Sequence, residues 1–89
     1  MSEDIYKEAI EKYGNLSQMD MVVEECSELI QAVQKFKRGE DNRSNVLEEI
    51  ADVEIMCAQA RLIFDFTGHE VDNVKAYKLE RLKQRIKSD

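Results

Sequence analysis

The chain has 89 residues and a net charge of −6, with no proline, three glycines and one histidine. That length leaves room for one domain, residues 1–89, and the acidic balance excludes a nucleic-acid backbone as the main partner, since that would call for a basic face. No signal peptide, lipidation motif or bilayer-length apolar run is present, so a soluble cytoplasmic protein without a membrane partner is expected.

Gly14, Gly39 and Gly68 divide the chain into four helical segments. Ser2 caps the first, with Glu3 and Asp4 in its first turn and Ile5, Ala9, Ile10 and Tyr13 on one face; it reads as a lid or dimer element. Ser17 and Asp20 form a weak capping box for the second. Its apolar stripe runs through Val22, Cys26, Leu29 and Val33 to Phe36, and Gly39 ends it. Residues 40–43 make a polar connection. It fails as a calcium loop, because Val46 stands where the sixth-position glycine is required. Asn42 or Ser44 caps the third helix, whose stripe takes Val46, Ile50, Val53, Cys57, Ala60 and Phe64 before Thr67-Gly68 closes it. A fourth helix starts near His69, with Val71, Val74, Leu79, Leu82 and Ile86 as its apolar side. The tail after Lys87 is expected to fray. The fold class is therefore all-α, a four-helix bundle-type domain with an antiparallel central hairpin. Cys26 and Cys57, both at apolar positions, read as buried reduced thiols.

One acidic phrase occurs twice, as Val22-Val23-Glu24-Glu25-Cys26-Ser27-Glu28 and as Val46-Leu47-Glu48-Glu49-Ile50-Ala51-Asp52. At about 100° per residue, Glu25 lies roughly 90° from the centre of its stripe and Glu49 roughly 60° from its own, with Glu28 and Asp52 about 60° further round. Each helix thus carries an i, i+3 carboxylate pair beginning at the edge of its stripe, and an antiparallel hairpin lets the two flanks face each other. Glu24 and Glu48 fall towards the backs of their helices. Converging carboxylates are costly unless a cation sits between them, and hard oxygen donors suit Mg²⁺ or Mn²⁺. A di-iron carboxylate site needs two Glu-x-x-His pairs, and His69, the only histidine, is in neither.

The fourth helix carries the opposite sign. Lys75 and Lys78 project close to its apolar stripe and Arg81 sits at the edge, placed to contact phosphate oxygens that metal ions also bridge.

The pair Glu25-Cys26-Ser27-Glu28 and Glu49-Ile50-Ala51-Asp52, each preceded by a further glutamate, resembles the Glu-x-x-Glu and Glu-x-x-Asp motif of the MazG-like and dimeric dUTPase-like all-α NTP pyrophosphohydrolases. The resemblance covers about residues 17–82. Lys75 and Arg81 match the family's phosphate-holding helix, while Lys78 stands where its asparagine is expected. The resemblance implies Mg²⁺-dependent hydrolysis of a nucleoside or deoxynucleoside triphosphate to the monophosphate and pyrophosphate, a nucleotide-pool house-cleaning activity. It further implies Glu25, Glu28, Glu49 and Asp52 as metal ligands, Lys75 and Arg81 as substrate contacts, and a homodimer or homotetramer; Lys78 joins the substrate contacts only by its place beside the apolar stripe of the helix. The alternative is a catalytically silent helical oligomer with a regulatory or nucleotide-binding role.

Overall fold

The computed structural model describes residues 2–66 and 68–88. They form α1 (Ser2–Tyr13), α2 (Asn15–Lys37), α3 (Arg43–Ile63) and α4 (Glu70–Ser88), with no strand among the described residues. Helix count and order follow the glycine punctuation, but three of the boundaries differ from expectation.

Gly14 alone separates α1 from α2. Its N–H donates to the Ile10 carbonyl at 2.8 Å and its own carbonyl accepts from Gln18 at 3.1 Å, so one residue ends one helix and begins the next. The backbone manages this at φ 91°, which a side chain would strain. Ser17 is consequently inside α2 and caps nothing. At the other end, Glu40 N–H donates to the Lys35 carbonyl and Gly39 N–H to that of Phe36, closing α2 as expected.

Asn42 occupies the position before α3, yet its side chain does not cap that helix. Its amide instead donates to the Ala32 carbonyl at 2.9 Å and ties the turn to α2. The far end of α3 comes early. Phe66 N–H donates to the Arg61 carbonyl and Asp65 N–H to that of Leu62, with Asp65 at φ 56°. Asp65 therefore takes the left-handed place that glycine usually fills, and short polar residues tolerate it. Gly68 lies beyond this stop, and Thr67, the other half of the expected closure, lies outside the described residues. Helix α4 continues through Ser88, whose hydroxyl donates to the Gln84 carbonyl, so the fraying expected after Lys87 does not begin there; Asp89 lies outside the described residues.

Helices α2 and α3 pair antiparallel and make the main interface of the molecule. Gln18 bonds Gln59 across it, Glu25 meets Asp52 and Glu28 meets Glu49. Each step forward on α2 is matched by an equal step back on α3. The line of closest approach is not the expected apolar stripe. Its most buried residues are Gln18, Ala32, Glu49, Met56 and Gln59, whereas Val33 and Phe64 are exposed and Val22, Cys26, Leu29, Val46 and Val53 are only half-buried. Ala32, 1% exposed, is the most buried of them, and its carbonyl accepts from the Asn42 amide. The buried Gln18 amide donates to the Gln59 carbonyl oxygen, which pairs one polar group of each at the seam.

Helix α1 packs against α3 and α2. Helix α4 has no comparable interface with any other helix. Its first turn is tied by Arg61 to Asp72 at 3.6 Å, and Val74, Leu79, Leu82 and Ile86 along its length are all exposed. Within one chain the expected four-helix bundle is thus three packed helices with the fourth standing off. Among the described residues only Ala32 and Met56 are buried apolar residues, a thin core for a chain of this size.

Candidate metal centre

The acidic phrases meet in the middle of the hairpin. Glu25, Glu49 and Asp52 each offer one carboxylate oxygen, and these oxygens lie within 4.8 Å of one another. Glu28 lies outside that triad but reaches Glu49 from the next turn of α2. All four residues placed at matching flanks by the sequence are brought together, although Glu49 is deeper than expected. It is 9% exposed, and its Oε2 is buried without a hydrogen-bond partner. Glu24 and Glu48 are exposed, as their angular positions require.

Glu25 and Glu49 hold protons more strongly than ordinary carboxyls. Burial is the largest cause of the rise at Glu25, followed by its hydrogen bond to Asp52 and the charges of Glu28, Asp52 and Glu49; together they push it up to about 7. Glu49 is raised as well, first by burial, then by its hydrogen bond to Glu28 and by the charges of Glu28, Asp52 and Glu48. Both shifts have the physical origin expected of carboxylates crowded at a low-dielectric seam. A bound cation would reverse them, since it favours the ionised form.

The donor set fits a hard divalent ion. Neighbouring oxygens around one octahedral Mg²⁺ are about 3 Å apart and opposite ones about 4 Å, the scale of this triad. The orphaned Glu49 oxygen is the kind of buried acceptor that a cation satisfies. Glu25, Glu49 and Asp52 would hold such an ion, with Glu28 completing the set.

A small cleft of about 240 Å³ adjoins the cluster, lined by Glu28, Gln31, Ala32, Lys35, Asn45 and Glu49. Lys35 is therefore the cation placed beside the carboxylates. Its charge also suits the last turn of α2, where the helix dipole favours cations. The available signal was its spacing, seven residues after Glu28 and so on the same face of α2. Asn45, four residues before Glu49, joins it from α3 by the same rule.

Lys75, Lys78 and Arg81 are placed elsewhere. All three are exposed on α4 and none lines the acidic cleft. Lys75 instead lines a larger cleft of about 860 Å³ between α1, α3 and the start of α4. The basic wall expected opposite the carboxylates is not formed within one chain, because α4 does not fold back over the hairpin. Cys26 is half-buried and Cys57 exposed, both as free thiols, so the expectation of two buried cysteines does not hold. His69 is a surface residue at the start of α4, its ring 3.8 Å from Asp72.

Comparison of the chain with protein-family models, with curated proteins and with solved structures gives no match. Among the described residues no helix is long and apolar enough to cross a membrane. Fold and site therefore define a class and no further: an all-α protein with a carboxylate centre between two antiparallel helices.

Proposed function

We propose that the chain is a Mg²⁺- or Mn²⁺-dependent nucleoside triphosphate pyrophosphohydrolase that releases the monophosphate and pyrophosphate. The observation that carries the reading is that Glu49, one of three carboxylates from two helices whose oxygens lie close together, also has an Oε2 that is buried without a hydrogen-bond partner. Acidic residues alone are common on helix surfaces; a buried carboxylate oxygen without a partner is not. The resemblance of the two acidic phrases to the pyrophosphohydrolase motif supplies the substrate class.

On this reading Glu25 and Glu49 give up their protons and, with Glu28 and Asp52, hold the cation. The ion's chemistry, when bound, is to neutralise phosphate charge and to acidify a water. Lys35 reaches the phosphates from the adjoining cleft, and Gln31 and Asn45 offer neutral hydrogen bonds beside it. Lys75, Lys78 and Arg81 serve as phosphate contacts only if a second copy brings them there. That fits a homodimer or homotetramer, as does the thinness of the core. The exposure of α4 favours one other reading, a helical oligomer that binds a cation or nucleotide without turnover.

Purified protein incubated with a panel of nucleoside triphosphates and Mg²⁺ should release pyrophosphate from at least one. A folded protein that releases none, while still binding Mn²⁺, would leave the silent oligomer as the function.

A further inference from the structure

We infer that Asn42 is a positioning residue for the small cleft beside the carboxylates: its bond to the Ala32 carbonyl sets the offset at which Lys35 and Asn45 meet an anion there. The inference rests on the reading of that cleft as the place where phosphate oxygens bind. Asn42 does not line the cleft itself.

The side chain gives up two stabilising uses and keeps one bond. At the start of a helix an asparagine oxygen ordinarily accepts from one of the first free N–H groups, yet Asn42 makes no such cap. Its Oδ1 is also buried without a hydrogen-bond partner, which is destabilising in itself. What it does make is the bond from Nδ2 to the Ala32 carbonyl, at 2.9 Å. Because that acceptor is a carbonyl, turning the amide over to find a partner for Oδ1 would lose the bond.

The register of the hairpin shows what the bond braces. Gln18 is opposite Gln59, Glu25 opposite Asp52 and Glu28 opposite Glu49. Continued in equal steps, it sets Ala32 opposite Asn45 and Lys35 opposite Asn42. These residues form a square near the tip, and the bond runs along its diagonal. A diagonal resists the sliding of one helix past the other as well as their parting. Three of its corners, Ala32, Lys35 and Asn45, line the cleft with Glu28, Gln31 and Glu49. Sliding would carry Lys35 along the cleft relative to Asn45, and an anion could no longer meet both donors at once. Neither partner of the bond ionises, so the brace is indifferent to what the carboxylates hold.

The test is Asn42→Ser, which stays neutral and suits a helix N-cap but has a shorter reach towards Ala32. With a triphosphate that the wild type hydrolyses, it should raise KM about fivefold and leave kcat within about twofold. Binding of inorganic pyrophosphate with Mg²⁺, read by calorimetry, should weaken by the same factor, while Mn²⁺ binding to the carboxylates stays unchanged. In a Lys35→Ala background the substitution should move KM by less than about twofold, since the brace then has no lysine to place. Asn42→Thr, also neutral and fit for the cap position, carries the same expectations should Asn42→Ser lower the helical circular dichroism. An unchanged KM would overturn the inference, as would a wild type that binds no pyrophosphate or two substitutions whose effects multiply independently. Loss of Mn²⁺ binding in step with pyrophosphate would also overturn it, because a merely loosened hairpin behaves that way. If no nucleotide is turned over and Asn42→Ser still weakens pyrophosphate binding, the brace stands and the hydrolase reading falls. If pyrophosphate is released and Asn42→Ser changes nothing, the reverse holds.

Discussion

The α2–α3 hairpin and α4 are built from similar material and end differently. Both are made of long helices, and both carry charge beside apolar residues. The hairpin buries its charged edge: Glu49 is 9% exposed, and Gln18 and Gln59 less so. Helix α4 buries nothing. Periodicity makes a helix with a sticky side, but it does not say which side meets a neighbour or whether that neighbour belongs to the same chain. Here the hairpin buries a line that includes the polar Gln18, Glu49 and Gln59, and Val33 and Phe64 beside it are left exposed.

The sharpest way to break the contrast is at Glu49. Glu49→Gln should lower pyrophosphate release on the order of 100- to 1,000-fold and weaken Mn²⁺ binding measured by electron paramagnetic resonance. Thermal stability of the metal-free protein should hold or rise, because a like charge leaves a crowded seam. Unchanged activity would remove Glu49 from the centre. The packing contrast comes next. Ala32→Leu should cost about 1–3 kcal/mol in urea unfolding, since a seam this tight has no room for the added methyls. Val74→Ala on α4 should cost under about 0.5 kcal/mol under conditions in which the chain is monomeric.

Lys35→Ala tests which cation serves the carboxylates. It should raise KM about tenfold with a smaller change in kcat, as expected for a phosphate contact made before the chemical step. The smallest effect is in pH. Glu25 and Glu49 both have raised values in the folded state, so the native protein binds more protons than the unfolded chain between pH 4.5 and about 7. Their contribution is fully present below the lower limit and is lost as pH rises through the upper one. The melting temperature of the metal-free protein should therefore fall from pH 5 to pH 8. Mg²⁺ should restore it at pH 8, where ions replace protons, and Glu25→Gln should flatten the profile. A metal-free protein that gains stability with rising pH would contradict the crowded cluster.

Much of this was legible in the amino-acid order. Three glycines without proline gave four helices, and the repeated phrase placed Glu25, Glu28, Glu49 and Asp52 on facing flanks, where the structure brings them together. Three things were not legible. The axis of packing was not, because hydrophobicity points to Val33 and Phe64, whereas the buried line runs through Gln18, Ala32, Glu49, Met56 and Gln59. The end of α3 was misjudged because Asp65 took a left-handed turn usually given to glycine. Lys35 was overlooked because its charge has a sufficient reason at a helix C-terminus, and only the cleft reveals its second neighbourhood.

The Gln18–Gln59 bond has a consequence for how this chain can change length. It lies one heptad from the meeting of Glu25 with Asp52, so the glutamines act as a vernier against the carboxylates. One residue inserted between Gln18 and Glu25 would turn one set by about 100° relative to the other, and the hairpin could satisfy the amides or assemble the acids, but not both. Only whole heptads, added to both helices, would keep the two in phase. Residues 38–42, at the tip, are under no such rule. Insertions tolerated at the tip and refused in the arms, with the helices still formed, are the signature this vernier should leave.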